Sequence, residues 1–482
     1  MASTNHHLHF LLVPLMSQSH LIPFTDMAKL LAHRGQTVTI IMTPLNAARF
    51  NAIIDYAINS NLKIQFITLN FPCQEAGLPE GCENLDSLPS PDLSVKFLKA
   101  SNTLQKPVEN LLRDLQITPT CIISDFCLTW TTDLALKLRI PRIVFHTVSC
   151  FTLLCSHNLE THKVYESITS DSQPFLVPEI PDRIEFTKAQ LPAWARRSSN
   201  EQQDLFDKYK EAEQSAQGLL VNTCEEIEPS YVEGYQKVAM NNVWCIGPLS
   251  LCNKTASSKF ERGNKPAIDE HRCLKWLDSM KPRSAIYVCF GSLSHLLPNQ
   301  LIELGLGLEA SNRPLIWTIR KESCSKEFEK WLIEQKLEER LNGRGLIIRG
   351  WAPQMLILSH PAIGGFLTHC GWNSTLEGIS SGVPMITWPL SAEQFYNAKL
   401  IVQVLKTGVY ITDEALVQCQ KVGALVKKED IRKGIEKSFD EGEDGVERRK
   451  RAQELGERAR RALEEGGSYL NVTLFISNIL CN

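Results

Sequence analysis

The sequence predicts an α/β protein with two doubly wound parallel sheets that face each other across an interdomain cleft. Three observations support this prediction. Short apolar runs alternate with helical patterns along most of the chain, which is typical of parallel sheets covered by helices. A polar stretch at 253–266 interrupts the alternation. The length of 482 residues allows at least two domains that each bury a core.

The first half begins with a strand, a polar turn and a helix. Residues 8–15 are an apolar run, 17–20 are polar, and 22–32 carry apolar residues at helical spacing. Gly35 then ends the helix. The run 36–43 is almost continuously apolar, as expected of a strand covered on both faces. The same patterns predict a strand over 121–124, a helix over 128–138 and a strand over 142–145.

The alternation resumes after the polar stretch. It predicts a helix over 300–309 and strands over 285–290, 315–319, 346–348 and 384–388. A charged helix over 446–465 carries one apolar stripe, formed by Ala452, Leu455, Ala459 and Ala462. We therefore expect a first domain at 1–252, a linker at 253–266, a second domain at 267–455 and a C-terminal helix at 456–482 that packs back on the first domain.

Charge and cysteine usage restrict the partners and the compartment. Lys and Arg number 51 against 54 Asp and Glu, a net charge of −3, so no basic face for nucleic acid is expected. Many of the 15 cysteines lie in apolar runs and none forms a Cys-x-x-Cys pair, which indicates buried thiols of a cytoplasmic protein. The apolar run 10–16 is too short to span a bilayer, so we expect no stable membrane insertion. We also expect a monomer.

One segment, 351–394, carries groups suited to a phosphate. A short strand at 364–368 leads into a helix at 373–381, and the backbone N–H groups at a helix start favour an anion. His369 and Ser374 add side-chain donors there. Ser292 follows a small residue at the end of another predicted strand, where an anion could approach closely.

The same segment carries groups suited to a base and to sugars. Trp351 offers a flat face for a base, and Glu377 could accept hydrogen bonds from ribose hydroxyls. Glu393 and Gln394 form a carboxylate–amide pair that suits the hydroxyls of a hexose. Taken singly, each has an ordinary alternative: a core tryptophan, a buried histidine at 369, a solvated loop at 393–394. Their joint arrangement favours a nucleotide-sugar site.

The segment resembles the donor-binding signature of plant UDP-sugar-dependent glycosyltransferases (family 1, GT-B fold, two Rossmann-like domains). The likeness runs without gaps through Trp351-Ala-Pro-Gln354, His369-Cys-Gly-Trp372-Asn-Ser-Thr-Leu-Glu377 and Trp388-Pro-Leu-Ser-Ala-Glu393-Gln394. It extends to Cys289-Phe-Gly-Ser292. Residues 74–82 and 121–127 resemble the branch that glucosylates flavonoids, triterpenoids, steroids or similar plant alcohols.

This resemblance implies a role for each donor-site residue. Trp351 stacks on uracil, with the Ala352 backbone and Gln354 at the base and ribose. Glu377 holds the ribose hydroxyls. The diphosphate ligands are Ser292, His369, Asn373 and Ser374. The residues facing the sugar are Trp372, Glu393 and Gln394, and Thr147 could reach it. In this family Gln at the last position accompanies glucose donors and His accompanies galactose, so Gln394 favours UDP-glucose.

The acceptor side depends on His20 and Asp125. Each follows an apolar strand, at the sheet edge where open α/β sheets bind ligands. A neutral imidazole suits removal of a hydroxyl proton near pH 7, and a carboxylate would fix its tautomer. The family places its catalytic His and Asp at these positions. It commonly has Gly before the His, where this chain has Ser19, and Ser adopts a positive φ only at a cost.

These residues predict an inverting UDP-glucose-dependent O-glucosyltransferase with UDP-sugar as co-substrate. No Asp-x-Asp or His/carboxylate cluster occurs at the site, so we expect no cofactor and no metal. The alternatives are UDP-galactose or UDP-xylose as donor, a non-catalytic nucleotide-sugar binder, and a UDP-sugar epimerase or hydrolase.

The acceptor is expected to be a small hydrophobic plant metabolite such as a triterpenoid or a flavonoid. Its pocket would be lined by loops at 71–93, 145–151 and 175–194. The apolar side chains expected there are Phe151, Phe175, Leu191 and Trp194.

Overall fold

The chain folds into two lobes in a computed structural model that describes residues 7–192, 195, 200–294, 296–412 and 425–481. The first lobe is built on a parallel sheet with strand order β3-β2-β1-β4-β5-β8-β9, and the second on a parallel sheet with order β12-β11-β10-β13-β14-β15. Two short strands, β6 and β7, pair antiparallel in the first lobe. The predicted class, two parallel α/β sheets, is confirmed.

Strands of the first lobe are β1 His9–Val13, β2 Thr37–Met42, β3 Ile64–Thr68, β4 Cys121–Asp125, β5 Arg142–His146, β6 Phe175–Leu176, β7 Glu185–Phe186, β8 Gly218–Val221 and β9 Asn242–Cys245. Those of the second lobe are β10 Ala285–Cys289, β11 Leu315–Ile319, β12 Gly345–Arg349, β13 Ile363–Thr368, β14 Met385–Thr387 and β15 Gly408–Tyr410. The predicted strands lie within two residues of these bounds, a normal scatter for element ends.

Helices of the first lobe span Gln18–His33, Pro44–Arg49, Asn51–Asn59, Ser94–Ser101, Gln105–Asp114, Trp130–Leu138, Cys150–His162, Asn200–Gln214 and Pro229–Val238. After the short helix Ala256–Phe260, those of the second lobe span Glu270–Asp278, Pro298–Ala310, Lys326–Glu334, Leu337–Leu341, Gln354–Leu358, Trp372–Ser380, Gln394–Lys399, Lys428–Ser438 and Glu443–Glu464. The last helix is Gly467–Cys481.

Both sheets reverse their strand order at a central pair, and this places the site. In the first sheet β1 pairs with β4, with Val13 opposite Ser124. In the second sheet β10 pairs with β13, with Cys289 opposite Thr368. A crevice forms at the carboxyl ends of the strands where an open α/β sheet reverses, and ligands bind there. The residues that follow these four strands therefore face the interlobe cleft.

The first helix differs from the prediction. It begins at Gln18, four residues before the expected start, so 17–20 is not a free turn. Ser17 precedes it with extended backbone angles, as is usual for the residue type that begins helices. His20 consequently lies on the first helical turn rather than on a loop.

The polar stretch 253–266 is more ordered than a linker of its composition suggests. It contains the helix Ala256–Phe260, and the side chain of Asn253 is 2% exposed. Arg262 is 8% exposed and forms two ion pairs. Composition misleads here because a polar side chain can be buried at low cost wherever partners satisfy it.

The C-terminal part of the chain contacts both lobes. The predicted stripe on the Glu443–Glu464 helix is confirmed, since Ala452, Leu455, Ala459 and Ala462 are all buried. The last three belong to a core cluster of the second lobe. This helix ends at Glu464, and the next helix, Gly467–Cys481, packs on the first lobe, with the Phe475 ring 5.7 Å from that of Phe10. The domain limits at 252, 266 and 455 stay predictions.

Within the part of the chain that the structure describes, no helix is both long enough and apolar enough to cross a bilayer.

Candidate active site

A cavity of about 920 Å³ lies between the lobes and is lined by residues of both. Its size is in the range of small-molecule binding sites. Every residue predicted for the donor or the base contributes to its wall except Asp125, which lies behind His20: His20, Thr147, Ser292, Trp351, Ala352, Gln354, His369, Trp372, Asn373, Ser374, Glu377, Glu393 and Gln394.

His20 and Asp125 form the pair predicted for proton transfer. Asp125 is the last residue of β4, and His20 follows the neighbouring strand β1, so the sheet brings both to one edge. The distance from His20 Nδ1 to Asp125 Oδ2 is 2.5 Å. The Asp125 side chain is fully buried, while that of His20 is 18% exposed and reaches the cavity. This arrangement engages Nδ1 and leaves Nε2 for a substrate proton.

The electrostatics of this pair favour a basic imidazole. Burial by itself lowers the pKa of His20, but the Asp125 carboxylate outweighs burial, with a smaller contribution from Glu393, and raises the pKa above its usual value. Burial opposes ionisation of Asp125 as well, yet His20 and the Cys127 N–H and thiol lower the pKa of that carboxyl. Asp125 therefore stays ionised and His20 accepts a proton readily.

Ser19 takes its place without backbone strain. It lies within the first helix and is not among the residues with positive φ, so this position does not require glycine. Its carbonyl accepts a hydrogen bond of 2.7 Å from the Asn373 amide across the cleft. No local sequence pattern predicts this contact, which connects the first turn of the His20 helix to Asn373 in the second lobe.

His369 directly follows β13 and lies between two glycines. An added Cβ at Gly291 or at Gly371 would lie 2.5 Å from its Nε2, so only glycine leaves room for the ring. Burial lowers the pKa of His369 to about 4, and a backbone contact with Cys289 offsets only part of this. At pH 7 the ring is therefore neutral and can act on a diphosphate only as a hydrogen-bonding group. Ser292 lines the cavity beside it.

The helix Trp372–Ser380 and Gln354 form a connected polar group at the predicted ribose position. Gln354 Nε2 donates to Ser374 Oγ at 3.0 Å and to Glu377 Oε2 at 2.8 Å. The other Glu377 oxygen, Oε1, forms an ion pair with Arg262. Arg262 was not predicted, because its segment carries no motif.

Trp351 lies next to this group. Its ring is partly buried against the core cluster of the first lobe, and a Cβ at Gly263 would lie 2.5 Å from it. The ring also lines the cavity, as the predicted stacking on a base requires. Ala352 beside it is 5% exposed, so only its backbone is available to a ligand.

Two of the three predicted sugar-facing side chains are already engaged. Gln394 Oε1 accepts from the backbone N–H groups of Leu390 and Ser391 at 2.8 and 2.9 Å. Its amide nitrogen lies 3.5 Å from Ser391 Oγ, which leaves one of its two N–H donors for a ligand. Trp372 also lines the cavity, and its role in facing the sugar stays a prediction. The indole is 2% exposed and donates to the Asn222 carbonyl of the first lobe at 2.8 Å. It joins the lobes because an apolar ring is more stable in their shared core.

Glu393 lines the cavity, and its role in facing the sugar stays a prediction. Burial raises the pKa of its carboxyl, although backbone N–H groups and His20 act in the opposite direction. The Trp372 N–H lies 3.4 Å from Glu393 Oε1. The preceding Ala392 has a φ of 51°, uncommon for a residue with a side chain and a frequent feature of functional loops.

The acceptor wall differs from the prediction. Phe151, Phe175 and Leu191 are at most 5% exposed and belong to a core cluster instead of the cavity wall. These side chains fill that core cluster, because an apolar side chain is more stable there than in contact with water. Trp194 lies outside the described residues.

The wall is instead a mixture of apolar and charged groups from scattered elements. Thr147 follows β5 and is half-buried. An ion pair joins Arg49 Nη1 to Asp86 Oδ2 at 2.7 Å, and His146 Nε2 lies 2.8 Å from Glu213 Oε2. The apolar members include Leu15, Ile22, Leu85, Leu98, Phe126, Leu153 and Phe206. The predicted loops 71–93 and 145–151 do contribute.

Among the described residues, no group of three or more His, Cys, Asp and Glu side chains has the arrangement of a metal site. The expectation of a site without metal or cofactor stays a prediction.

Two family models match the chain and together cover most of it. Residues 7–251 match the glycosyltransferase N-terminal domain, and residues 264–423 match the family described as UDP-glucuronosyl and UDP-glucosyl transferase.

Curated relatives match over nearly their whole length. UDP-glycosyltransferase 73C3 of Arabidopsis thaliana is 51% identical over 98% of this chain and 96% of its own. UDP-glycosyltransferase 73C13 of Barbarea vulgaris is 50% identical with the same coverage.

Solved structures share the fold. Glycyrrhiza uralensis UGT73P12, complexed with glycyrrhetinic acid 3-O-monoglucuronide, matches with a TM-score of 0.90 and 36% identity, over 98% of this chain and 96% of that one. Phytolacca americana UGT2, complexed with UDP-2-fluoro-glucose and pterostilbene, matches with a TM-score of 0.77 and 26% identity, over 98% and 99%. The two-lobed GT-B architecture expected from the sequence is confirmed.

Proposed function

The chain belongs to the plant UDP-glycosyltransferase family, and we propose that it transfers glucose from UDP-glucose, with inversion, to a hydroxyl of a hydrophobic plant metabolite. The observation that carries this proposal is the His20–Asp125 pair, 2.5 Å apart, on a cavity whose opposite wall holds the donor-type residues.

The chemistry proceeds in one step. His20 Nε2 takes the proton of the acceptor hydroxyl as its oxygen attacks C1 of the sugar from the face opposite UDP. The bond between C1 and the phosphate oxygen breaks, and UDP leaves with the electron pair. The proton stays on the imidazolium, which Asp125 stabilises.

The departing diphosphate is stabilised by groups of the second lobe. The start of the Trp372–Ser380 helix, Asn373, Ser292 and neutral His369 surround the position proposed for it. Fixed dipoles in a site shielded from water stabilise developing charge effectively. The protein's own residues thus supply both the base and the leaving-group stabilisation.

The choice of glucose and of a triterpenoid or flavonoid acceptor has weaker support. Gln394 favours glucose by the family pattern, with UDP-galactose or UDP-xylose as the alternative donors. The relative from Glycyrrhiza uralensis binds a glycosylated triterpenoid acid and that from Phytolacca americana binds pterostilbene. The apolar residues of the cavity suit such acceptors, and the ion pairs on its wall favour one that also carries polar groups.

The purified chain should be assayed with UDP-glucose, UDP-galactose and UDP-xylose against a panel of aglycones. We expect UDP release that depends on acceptor, is fastest with UDP-glucose, and gives a β-glucoside by NMR from the α-linked donor. UDP release without acceptor would indicate a hydrolase. Donor binding without turnover on any aglycone would favour the non-catalytic nucleotide-sugar binder.

We further infer a monomer in the cytoplasm. No disulfide joins the described cysteines and most of them are buried, which suits a reducing compartment. Light scattering of the purified chain and imaging of a fluorescent fusion test the two statements separately.

A further inference from the structure

Arg262 is a buried cation that the family signature does not include. It lies in the 253–266 segment, after the short helix Ala256–Phe260, and its side chain is 8% exposed. Its Nε donates to Asp26 Oδ2 at 2.8 Å, and its Nη1 makes a close ion pair with Glu377 Oε1. One guanidinium thus connects two buried carboxylates.

The two carboxylates belong to different lobes. Asp26, 1% exposed, lies on the Gln18–His33 helix, which also carries His20. Glu377, 3% exposed, lies on the Trp372–Ser380 helix. This helix belongs to the donor wall, the part of the cavity wall formed by residues of the 351–394 segment. Arg262 therefore connects the helix of the proposed base to the residue proposed for the ribose.

Asp26 is itself held in place by further bonds. Its Oδ1 accepts from Asn253 Nδ2 at 2.8 Å, and Asn253 Oδ1 accepts from Lys29 Nζ at 2.7 Å. Lys29 and Asn253 are both buried. Two cations and two carboxylates, counting Glu377, thus balance within one buried network, which a buried charge needs in order to be tolerated.

Glu377 retains acceptor capacity beyond these contacts. A carboxylate has about four lone-pair positions. Arg262 uses one on Oε1, and Gln354 Nε2 uses one on Oε2 at 2.8 Å. The positions that remain, one on each oxygen, suit the two adjacent hydroxyls of a ribose. Arg262 and Gln354 together fix the plane of the carboxylate, and with it the direction of the free lone pairs.

We propose that Arg262 is a positioning residue for the donor: it orients Glu377 toward the ribose hydroxyls and links it to the His20 helix. The inference rests on the proposed function, since it takes the donor to be a uridine nucleotide. Lysine could not replace it fully, because a guanidinium presents several donors in a rigid fork, whereas an ammonium is a single point charge.

The test compares the binding of UDP and 2′-deoxy-UDP by titration calorimetry. The wild-type protein is expected to bind UDP about 10- to 100-fold more tightly than 2′-deoxy-UDP, the usual range for a hydrogen bond to a charged group. In Arg262→Met the preference falls below about threefold, since Glu377 loses its orientation while the rest of the nucleotide is still bound. Arg262→Lys should give an intermediate preference.

Arg340→Met is the matched control. Arg340 pairs with Glu309 in the second lobe through two nitrogens, at 2.6 and 2.8 Å, and does not line the cavity. Its loss should leave the preference for UDP unchanged.

Each result decides the inference. A folded Arg262→Met that weakens both nucleotides equally has only a structural role, and this overturns the inference. If Arg262→Met does not fold, Arg262→Lys decides: a reduced preference supports the inference and a wild-type preference overturns it. A wild-type chain that binds neither nucleotide overturns the proposed function itself, and the inference with it.

Discussion

The two histidines of the cleft occupy related positions in their lobes, but their pKa values are shifted in opposite directions. His20 follows the central strand β1 of the first sheet, and His369 follows β13, which pairs with the central strand β10 of the second. The pKa of His20 is raised, whereas that of His369 is lowered to about 4. Burial acts downward on both, so burial does not explain the difference.

The neighbouring residues explain it. The strand next to β1 ends in Asp125, whose carboxylate lies 2.5 Å from His20. His369 has Gly291 and Gly371 against its ring instead, and neither supplies charge. The same sheet geometry thus yields a base in one lobe and a neutral hydrogen-bonding group in the other. The role of a buried histidine is therefore set by its partner.

The largest expected effect is that of His20→Ala, which removes the base and leaves the donor wall intact. Turnover should fall by about 10²–10⁴, the usual contribution of general base catalysis. UDP affinity should stay at the wild-type value. Steady-state assay and calorimetry measure the two quantities, and unchanged turnover would remove His20 from the mechanism.

Asp125→Asn removes the charged partner of His20, so that its surroundings resemble those of His369 more closely. Turnover should fall by about 10²-fold, at the lower end of the usual contribution of general base catalysis and less than for His20→Ala, because an orienting partner contributes only part of the base's effect. The base acts when neutral, so the wild-type rate should rise with pH through a pKa above 6.5. In the variant Asp125 no longer opposes the effect of burial, so the pKa of His20 should fall. The acidic limb of the pH profile, where the rate rises with pH, should therefore move to lower pH.

The pH profile of kcat/KM from about pH 5 to 9 checks this prediction. A loss larger than that of His20→Ala in a folded variant, or an acidic limb that does not move, would contradict it.

Gly371→Ala disturbs the second-lobe histidine alone. The φ of Gly371 is −59°, which alanine accepts, but the new Cβ would lie 2.5 Å from His369 Nε2. Displacing the ring should remove its hydrogen bond to the diphosphate and weaken UDP binding by about 10-fold, near the lower end for a hydrogen bond to a charged group. Gly378→Ala is the control, since its Cβ meets Met385 and the residue does not line the cavity. Equal UDP affinity in both variants would argue against a role for His369.

The smallest effect is expected for Gln394→His, at the sugar end of the donor wall. Gln394 Oε1 accepts from two backbone N–H groups, and an imidazole nitrogen accepts only one. Losing one such bond should lower kcat/KM for UDP-glucose by about fivefold. The ratio of kcat/KM for UDP-glucose to that for UDP-galactose should fall as well. A ratio that rises would contradict the assignment of donor choice to this residue.

Much of the donor wall could be predicted because it is continuous in the sequence. Trp351, His369 and Gln394 belong to one segment whose order is itself a signature, and all three line the cavity. The acceptor wall could not be predicted equally well. It is assembled from side chains far apart in the chain, such as Arg49 and Asp86, and apolar residues near it can equally serve the core, as Phe151 does.

The sequence is enough to predict the two parallel sheets, the donor segment and the positions of His20 and Asp125, because apolar periodicity and local order are properties of the chain. The contacts of Trp372 between the lobes and of Arg262 with Asp26 and Glu377 appear only in the folded protein. A buried polar group is stabilised by partners from other elements, and no local pattern records which partners those are.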